Sequence, residues 1–120
     1  MATILIVEDN PDNMKLIRMV LMVRGHRVVE LCGGEGLLDA VETAAPDGIL
    51  LDIQLPGEDG FQLLARLRAS GRALPPIVAL TAHAMAGDKE RALAAGFDGY
   101  LTKPIDVGTF AATVERMITR

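Results

Sequence analysis

The chain has 120 residues, of which half are hydrophobic and 23% are charged, and its net charge at pH 7 is −4. This balance excludes a disordered chain and supplies apolar material for one domain over residues 1–120. Aromatic residues make up only 3% of the sequence, so that a nucleic-acid surface built on stacking and phosphate contacts is disfavoured. Since no run of about 18 apolar residues occurs, we expect a soluble cytoplasmic protein without membrane insertion.

Five short apolar runs alternate with helical patterns along the chain. The runs lie near residues 3–7, 28–31, 48–51, 77–80 and 99–101. Continuous apolar strands of this kind are typical of a parallel sheet that is covered on both faces. Five successive strand–helix units therefore predict an α/β fold with one doubly wound, five-stranded parallel sheet.

The helices carry start and stop signals at several points. Asn10 is expected to cap the first helix, with Pro11 at its first position and Gly25 just after its end. The second helix is predicted over residues 34–44, and a third helix ends near Gly71. The fourth is predicted over residues 84–95, with Gly87 in its interior, and should therefore pack least firmly.

The last helix has the clearest period, and we expect Asp106 to cap it. Its predicted inner face consists of Val107, Phe110, Ala111, Val114, Met117 and Ile118. The single cysteine, Cys32, cannot form an internal disulfide. We interpret it as a small buried or half-buried hydrophobe, with a reactive thiol as the alternative.

Polar residues stand where the apolar strands end. Glu8 and Asp9 follow the first strand, Asp52 ends the third, Thr81 ends the fourth, and Lys103 follows the fifth. In an open parallel sheet, the carboxyl ends of the strands meet at one edge, where binding sites form. We therefore expect three carboxylates, a hydroxyl and an ammonium group to lie close together there.

Three carboxylates in one place repel each other unless one takes up a proton or a hard cation binds. Mg²⁺ prefers oxygen ligands, and Asp9 and Asp52 are candidate direct ligands. Glu8 is a candidate ligand either directly or through water. The backbone carbonyl of Gln54, two residues past Asp52, is expected to face the same cation.

The same groups suit a phosphoryl acceptor. A carboxylate oxygen of Asp52 can attack phosphorus to form an acyl phosphate. Such a site must neutralise charge on the phosphoryl oxygens. Lys103 and Thr81, together with nearby backbone N–H groups, are the candidates for that role.

These motifs together resemble the response-regulator receiver domain of bacterial two-component signalling, over essentially the whole chain. The residues that carry the resemblance are Glu8-Asp9-Asn10, Asp52 ahead of Gln54-Leu55-Pro56-Gly57, Thr81-Ala82 and Lys103-Pro104. The segments around Glu8 and Thr81 look most like stand-alone receivers of the DivK type and also resemble receiver modules of hybrid kinases. The resemblance implies a flavodoxin-like (βα)5 fold with strand order 2-1-3-4-5.

The resemblance also implies a function. It implies that Asp52 accepts a phosphoryl group from a phosphohistidine of a sensor histidine kinase or a histidine phosphotransfer protein, with Glu8 and Asp9 as the acidic pair for Mg²⁺. The chain would signal to a downstream protein through a changed surface, as a monomer or a phosphorylation-dependent dimer. It would not be a turnover enzyme, beyond weak autophosphatase activity.

Two further features are implied by the resemblance. Thr81 and Tyr100 would form a conformational switch, and the Lys103–Pro104 peptide bond would be cis. Other interpretations remain open here, since Thr81 can simply cap the next helix and Tyr100 can be a packed ring with a wet hydroxyl. His83 is expected to overlook the site, with an exposed helix histidine as the alternative.

The first helix offers a candidate docking surface for the phosphodonor. Met19 and Met22 fall on its solvent face, which is unusual for apolar side chains. Ile105, in the loop after Lys103, is the third candidate contact. Scattered exposed apolar residues are the simpler alternative.

The sequence also disfavours three other assignments. A phosphohydrolase of the haloacid dehalogenase class needs a second aspartate where Gln54 stands. A flavodoxin-like flavin binder needs a glycine- and hydroxyl-rich phosphate loop where Glu8 and Asp9 would repel phosphate. A receiver excised from a hybrid kinase is disfavoured by the starting Met1 and the final helix.

Overall fold

A computed structural model describes residues 2–82 and 87–119. Five strands and five helices alternate, and the strands form one parallel sheet in the order β2-β1-β3-β4-β5, as expected. The elements are β1 (Thr3–Val7), α1 (Pro11–Val23), β2 (Arg27–Leu31), α2 (Leu37–Ala44), β3 (Gly48–Asp52), α3 (Gly60–Ala69), β4 (Ile77–Thr81), α4 (Asp88–Ala95), β5 (Gly99–Thr102) and α5 (Phe110–Ile118). The longest described helix has 13 residues, and none of those described is long and apolar enough to cross a membrane.

The core lies on both faces of the sheet, which explains the continuous apolar runs. Along β3, Ile49 and Leu51 face one cluster, and Leu50 faces the other. The first cluster includes residues of α2, α3 and α4, whereas the second includes residues of α1 and α5. Because successive strand side chains point to opposite faces, a strand covered on both sides has to be apolar throughout.

The first helix begins and ends as its sequence predicts. Asn10 Oδ1 accepts hydrogen bonds from the backbone N–H groups of Asp12 and Asn13, at 2.9 and 3.1 Å. Pro11 occupies the first helical position, and Gly25 follows the helix with a φ of 88°. These caps fix the direction in which the chain leaves β1, and therefore where Glu8 and Asp9 lie.

Two helices start later than predicted. The second starts at Leu37, after Gly36, whose φ of 79° breaks the helical pattern. The last starts at Phe110 and not just after Asp106. The Asp106 side chain accepts a hydrogen bond from Gly108 N–H at 2.9 Å and so forms a turn, and Val107 is 59% exposed. The predictions of an Asp106 cap and of Val107 on the inner face were therefore wrong.

The described part of α4 corrects another prediction. Gly87 precedes the helix with a φ of 89° and does not lie in its interior. Gly96 ends the helix, as predicted. The start of the predicted helix, including His83 and Met85, lies outside the described residues. Cys32 is exposed, so the interpretation of a buried or half-buried hydrophobe was wrong.

The amino edge of the sheet is closed by a cluster around the buried His26. Its Nδ1 accepts a hydrogen bond from Ala2 N–H at 3.0 Å, so Nε2 is the nitrogen that donates to Glu115 Oε2, at 2.6 Å. Arg24 pairs with the same carboxylate. Hydrogen bonds from Arg24 and then from His26 lower the pKa of Glu115 to about 2. This cluster joins the α1–β2 turn to α5.

Candidate functional site

The two acidic strand ends meet at the carboxyl edge of the sheet. Because β1 and β3 are neighbours, Glu8 and Asp9 at the end of β1 lie beside Asp52, the last residue of β3. One carboxylate oxygen from each of the three lies within 4.8 Å of the others. Glu8 and Asp52 are each only 2% exposed, whereas Asp9 faces solvent. The cluster is therefore buried on one side and open on the other.

Lys103 reaches this cluster from β5. Its Nζ lies 2.8 Å from Glu8 Oε1 and 2.9 Å from Asp52 Oδ2, and its side chain is about 9% exposed. The backbone N–H of Lys103 donates to the carbonyl of Thr81 at 2.7 Å. The Lys103–Pro104 peptide bond is cis, as the resemblance implied. One ammonium group therefore bridges two buried carboxylates.

Backbone donors complete the hydrogen bonding of these two carboxylates. Asp52 Oδ1 accepts from Gln54 N–H at 2.8 Å, and Glu8 Oε2 accepts from Asn10 N–H at 3.2 Å. Each oxygen of the pair thus has a donor. Buried carboxylates need such partners, because an unpaired charge away from water is costly.

Burial and neighbouring charges shift the pKa values of both Glu8 and Lys103. Burial raises the pKa of Glu8, and the nearby charge of Asp52 raises it further. The hydrogen bond from Lys103 lowers it, but the pKa is raised overall. Burial alone lowers the pKa of Lys103, but its hydrogen bonds to Glu8 and Asp52 outweigh burial, so that the pKa is raised overall. Lys103 therefore stays charged at neutral pH.

The donor set fits a hard divalent cation. Three carboxylates and one ammonium group leave an excess of negative charge in the cluster. All of its candidate ligands are oxygens, which Mg²⁺ prefers over nitrogen or sulfur. The exposed Asp9 gives such a cation an approach from solvent.

Thr81 and Tyr100 lie on the strands next to the cluster. Thr81 is completely buried at the end of β4, one residue beyond Leu80, the register partner of Asp52. The Tyr100 ring packs against the core cluster that contains α2, α3 and α4 residues. Its hydroxyl is buried and has no hydrogen-bond partner among residues 2–82 and 87–119, so the alternative interpretation of a packed ring with a wet hydroxyl was wrong.

Tyr100 is also linked electrostatically to the fourth helix. Burial raises the pKa of its hydroxyl, and the negative charges of Asp88 and Glu90 raise it further. Both acidic residues lie in the first turn of α4. The Tyr100 hydroxyl is therefore close enough to the first turn of α4 to be affected by its charges.

The side chain of Gln54 has a contact that sequence reasoning missed. Gln54 was predicted to contribute only its backbone carbonyl, yet its side-chain Oε1 accepts a hydrogen bond from Ala82 N–H at 2.9 Å. This bond joins the loop after β3 to the chain after β4. No spacing or composition signal marks it, because it depends on how two loops meet.

Of the three predicted docking residues, Met19 lines an apolar groove between α1 and the start of α5, whereas Met22 and Ile105 do not. Met19 and Met22 are 53% and 57% exposed, as their place on the helical wheel predicted, and Ile105 is half-buried. The groove has a volume of about 250 Å³. Val23 and Val107, which the sequence did not single out, are 86% and 59% exposed beside it.

A family model for the response regulator receiver domain matches residues 4–115. The fold and the clustered acidic residues agree with this match. The chain belongs to the response-regulator receiver family of two-component signalling.

Similar proteins include both free regulators and parts of sensor kinases. The chain is 38% identical over 114 residues to the polar-differentiation response regulator DivK of Brucella anthropi, covering 94% of this chain and 93% of DivK. It is 44% identical over 115 residues to the sensor protein GacS of Pseudomonas syringae pv. syringae, covering 92% of this chain but only 13% of GacS. The chain thus spans about one eighth of the length of GacS.

A solved structure with 38% identity gives the same fold. It is the receiver domain of the sensor histidine kinase PA1611 of Pseudomonas aeruginosa PAO1, crystallised with a magnesium ion coordinated in the active site cleft. The TM-score is 0.84, and the match covers 99% of this chain and 98% of that one.

Proposed function

We propose that residues 1–120 form a receiver domain that accepts a phosphoryl group on Asp52. The observation that carries this proposal is the position of Lys103, whose ammonium group bridges Asp52 and Glu8 beside the exposed Asp9. A purely structural ion pair would not need a third carboxylate at the same place. In a phosphoryl acceptor, the additional carboxylates can hold Mg²⁺ and the ammonium group can neutralise charge on the phosphoryl oxygens, so each group has a role.

The reaction is a displacement at phosphorus. An oxygen of Asp52 forms a bond to the phosphorus of a phosphohistidine while the P–N bond breaks, and the imidazole nitrogen leaves with the electron pair. Lys103 then stabilises the charge on one phosphoryl oxygen, and the Thr81 hydroxyl binds another. Lys103 is already held at the acceptor carboxylate, so little reorganisation is needed.

Magnesium is the cofactor that these residues suit. Asp9 and Asp52 would hold it directly, Glu8 directly or through water, and the backbone carbonyl of Gln54 would complete the protein ligands. When bound, the cation supplies charge neutralisation on the phosphoryl oxygens. The magnesium ion in the receiver of PA1611 supports this assignment.

Phosphorylation would change the surface through Thr81 and Tyr100. Thr81 moves toward the phosphoryl group, and Tyr100, whose ring packs against the core cluster that includes α4, responds to the altered space. The result is a shift in population between two packings of the same chain. The chain is a signalling module, with at most weak self-hydrolysis of its acyl phosphate.

The phosphodonor would dock on the surface formed by Met19, Met22 and Ile105, of which Met19 also lines the groove between α1 and α5. A sensor histidine kinase or a histidine phosphotransfer protein is the proposed donor. The proposed output is contact with a downstream protein in the cytoplasm, as a monomer or a phosphorylation-dependent dimer. The likeness to DivK over nearly its whole length supports a receiver of this type.

The test is intact-mass spectrometry after incubation with acetyl phosphate, with and without Mg²⁺. The wild type is expected to gain one phosphoryl group that needs Mg²⁺. Asp52→Ala should gain none, whereas Asp39→Ala, which removes an exposed aspartate in the first turn of α2, should behave like the wild type. Lack of any gain in a folded wild type, or a gain that survives in Asp52→Ala, would contradict the proposal.

A further inference from the structure

The side-chain oxygen of Gln54 accepts a hydrogen bond from the backbone N–H of Ala82, which has no partner in the sheet ladder. In the β3–β4 ladder, Ile53 N–H donates to the Leu80 carbonyl at 3.0 Å. In a parallel pair the next bond would run from Ala82 N–H to the Ile53 carbonyl. That bond is replaced by one to Gln54 Oε1, at 2.9 Å.

The reason for this replacement lies in the start of α3. The Ile53 carbonyl accepts from Gly60 N–H at 3.4 Å, so it is turned toward that helix. A Cβ atom at Gly60 would lie 2.5 Å from Ile53 Cα and 2.7 Å from the Asp52 carbonyl oxygen. The absence of a side chain at Gly60 therefore lets α3 come close to the end of β3, where the Ile53 carbonyl bonds to α3 and not to β4. Ala82 N–H is the first backbone donor after β4, directly following Thr81.

Gln54 therefore contacts both the acceptor Asp52 and the chain segment that follows Thr81. The backbone N–H of Gln54 donates to Asp52 Oδ1 at 2.8 Å, while its side-chain oxygen accepts from Ala82 N–H. Ala82 directly follows Thr81, the proposed ligand of a phosphoryl oxygen. A backbone N–H in that place is a ready donor to an anionic oxygen, and charge-assisted hydrogen bonds are stronger than bonds to a neutral amide.

We propose that Gln54 is a positioning residue that holds the resting state by occupying Ala82 N–H. This inference rests on the proposed function. When Asp52 gains its phosphoryl group, a phosphoryl oxygen takes the Ala82 donor and the Gln54 side chain is released. The exposed loop that carries Gln54 thereby reports the state of Asp52, and the bond between Gln54 and Ala82 slows phosphoryl acceptance by the amount needed to break it.

Two substitutions distinguish the loss of the hydrogen bond from a change in side-chain length or polarity. Gln54→Met keeps the length of the side chain but removes the amide acceptor. Gln54→Asn keeps the amide but is one methylene shorter and does not reach. If the bond matters, both variants behave alike, whereas an effect of side-chain polarity alone would leave Gln54→Asn like the wild type.

The size of the effect follows from the strength of one neutral hydrogen bond. A net contribution of about 0.5–1.5 kcal/mol corresponds to roughly a two- to tenfold change in rate. We expect phosphorylation by acetyl phosphate, at fixed Mg²⁺, to be faster by that factor in both variants. The free energy of unfolding in urea should fall in both variants by no more than that same contribution, because the bond stabilises the resting fold and Gln54 is otherwise exposed.

The experiment pairs this rate with the amide signal of Ala82 in nuclear magnetic resonance spectra. Without phosphodonor, the Ala82 amide of both variants should shift upfield and exchange faster with solvent. An unchanged Ala82 amide would overturn the inference, and so would equal or slower phosphorylation of both variants. If the wild type itself gains no phosphoryl group, the proposed function fails and this inference falls with it. If all three proteins react at Asp52 at one rate, only the role of Gln54 is refuted.

Discussion

Replacing Lys103 with methionine is expected to destabilise the chain in a strongly pH-dependent way. Methionine fills a similar volume but leaves the buried carboxylates of Glu8 and Asp52 without their shared cation. The folded protein then has two choices, either to keep both charges together or to protonate one carboxyl. Glu8 is the group expected to take up the proton, because burial already raises its pKa.

The protonation route sets a ceiling on this electrostatic cost. An ordinary glutamate has a pKa of 4.5, so neutralising Glu8 at pH 7 costs about 1.36 kcal/mol for each of about 2.5 pH units, or about 3.4 kcal/mol. At pH 6 the ceiling is about 2 kcal/mol, and near pH 4.5 it approaches zero. Proton linkage gives the sign of the change in stability with pH. The folded state binds the extra proton above pH 4.5, so stability falls as pH rises toward the folded pKa of Glu8.

Urea unfolding followed by circular dichroism, between pH 5 and pH 8 and with a chelator present, measures this difference. Lys89→Met, which removes an exposed lysine on α4, serves as the control and should cost little at any pH. The double variant Glu8→Gln with Lys103→Met removes the repulsion and should recover most of the loss at pH 7. A loss that does not change with pH, or that exceeds the ceiling by several kcal/mol without a change in the urea dependence, would refute this reasoning.

Three further predictions concern other parts of the molecule. Gly60→Ala should cost about 1–3 kcal/mol in urea unfolding, because its Cβ would meet backbone atoms, whereas Gly33→Ala, where the space is open, should be nearly neutral. Stability should fall as pH drops from 4.5 toward 2, because Glu115 has a lowered pKa of about 2, and Glu115→Gln should weaken that acid sensitivity. Met22→Glu should slow phosphotransfer from a cognate phosphohistidine protein about tenfold, a cost of ~1.4 kcal/mol, yet leave the reaction with acetyl phosphate unchanged. Leu93→Glu, at an exposed residue of α4, is its matched control.

Each of these has an outcome that would count against it. Equal stability of the two glycine variants would mean that α3 shifts freely. An acid-unfolding curve that Glu115→Gln leaves unchanged would mean that another carboxyl dominates that range. Equal loss of activity toward the protein donor and acetyl phosphate in Met22→Glu would mean that the residue acts on the site itself and not on docking.

The strands and the strand-end residues could be predicted because each depends on local sequence. A strand covered on both faces must be apolar, so the runs that end at Glu8, Asp52 and Thr81 could be recognised without a structure. The Asp106 cap was predicted wrongly because aspartate forms local turns as readily as it caps a helix. The Gln54–Ala82 bond could not be predicted, since it depends on how closely α3 approaches the end of β3 at Gly60.

The resting site is held together by groups that the proposed chemistry would redistribute. Lys103 Nζ is shared between two carboxylates, and Asp52 Oδ1 is bound by a loop N–H. A phosphoryl group on Asp52 would replace the carboxylate with an acyl phosphate, a mixed anhydride that bears further anionic oxygens, so Lys103 would be drawn toward them and its bond to Glu8 would weaken. The Lys103 backbone is bonded to the Thr81 carbonyl at 2.7 Å. The proposed motion of Thr81 toward the phosphoryl group would therefore be coupled to the position of Lys103. Tyr100 lies on β5, the strand that leads into Lys103.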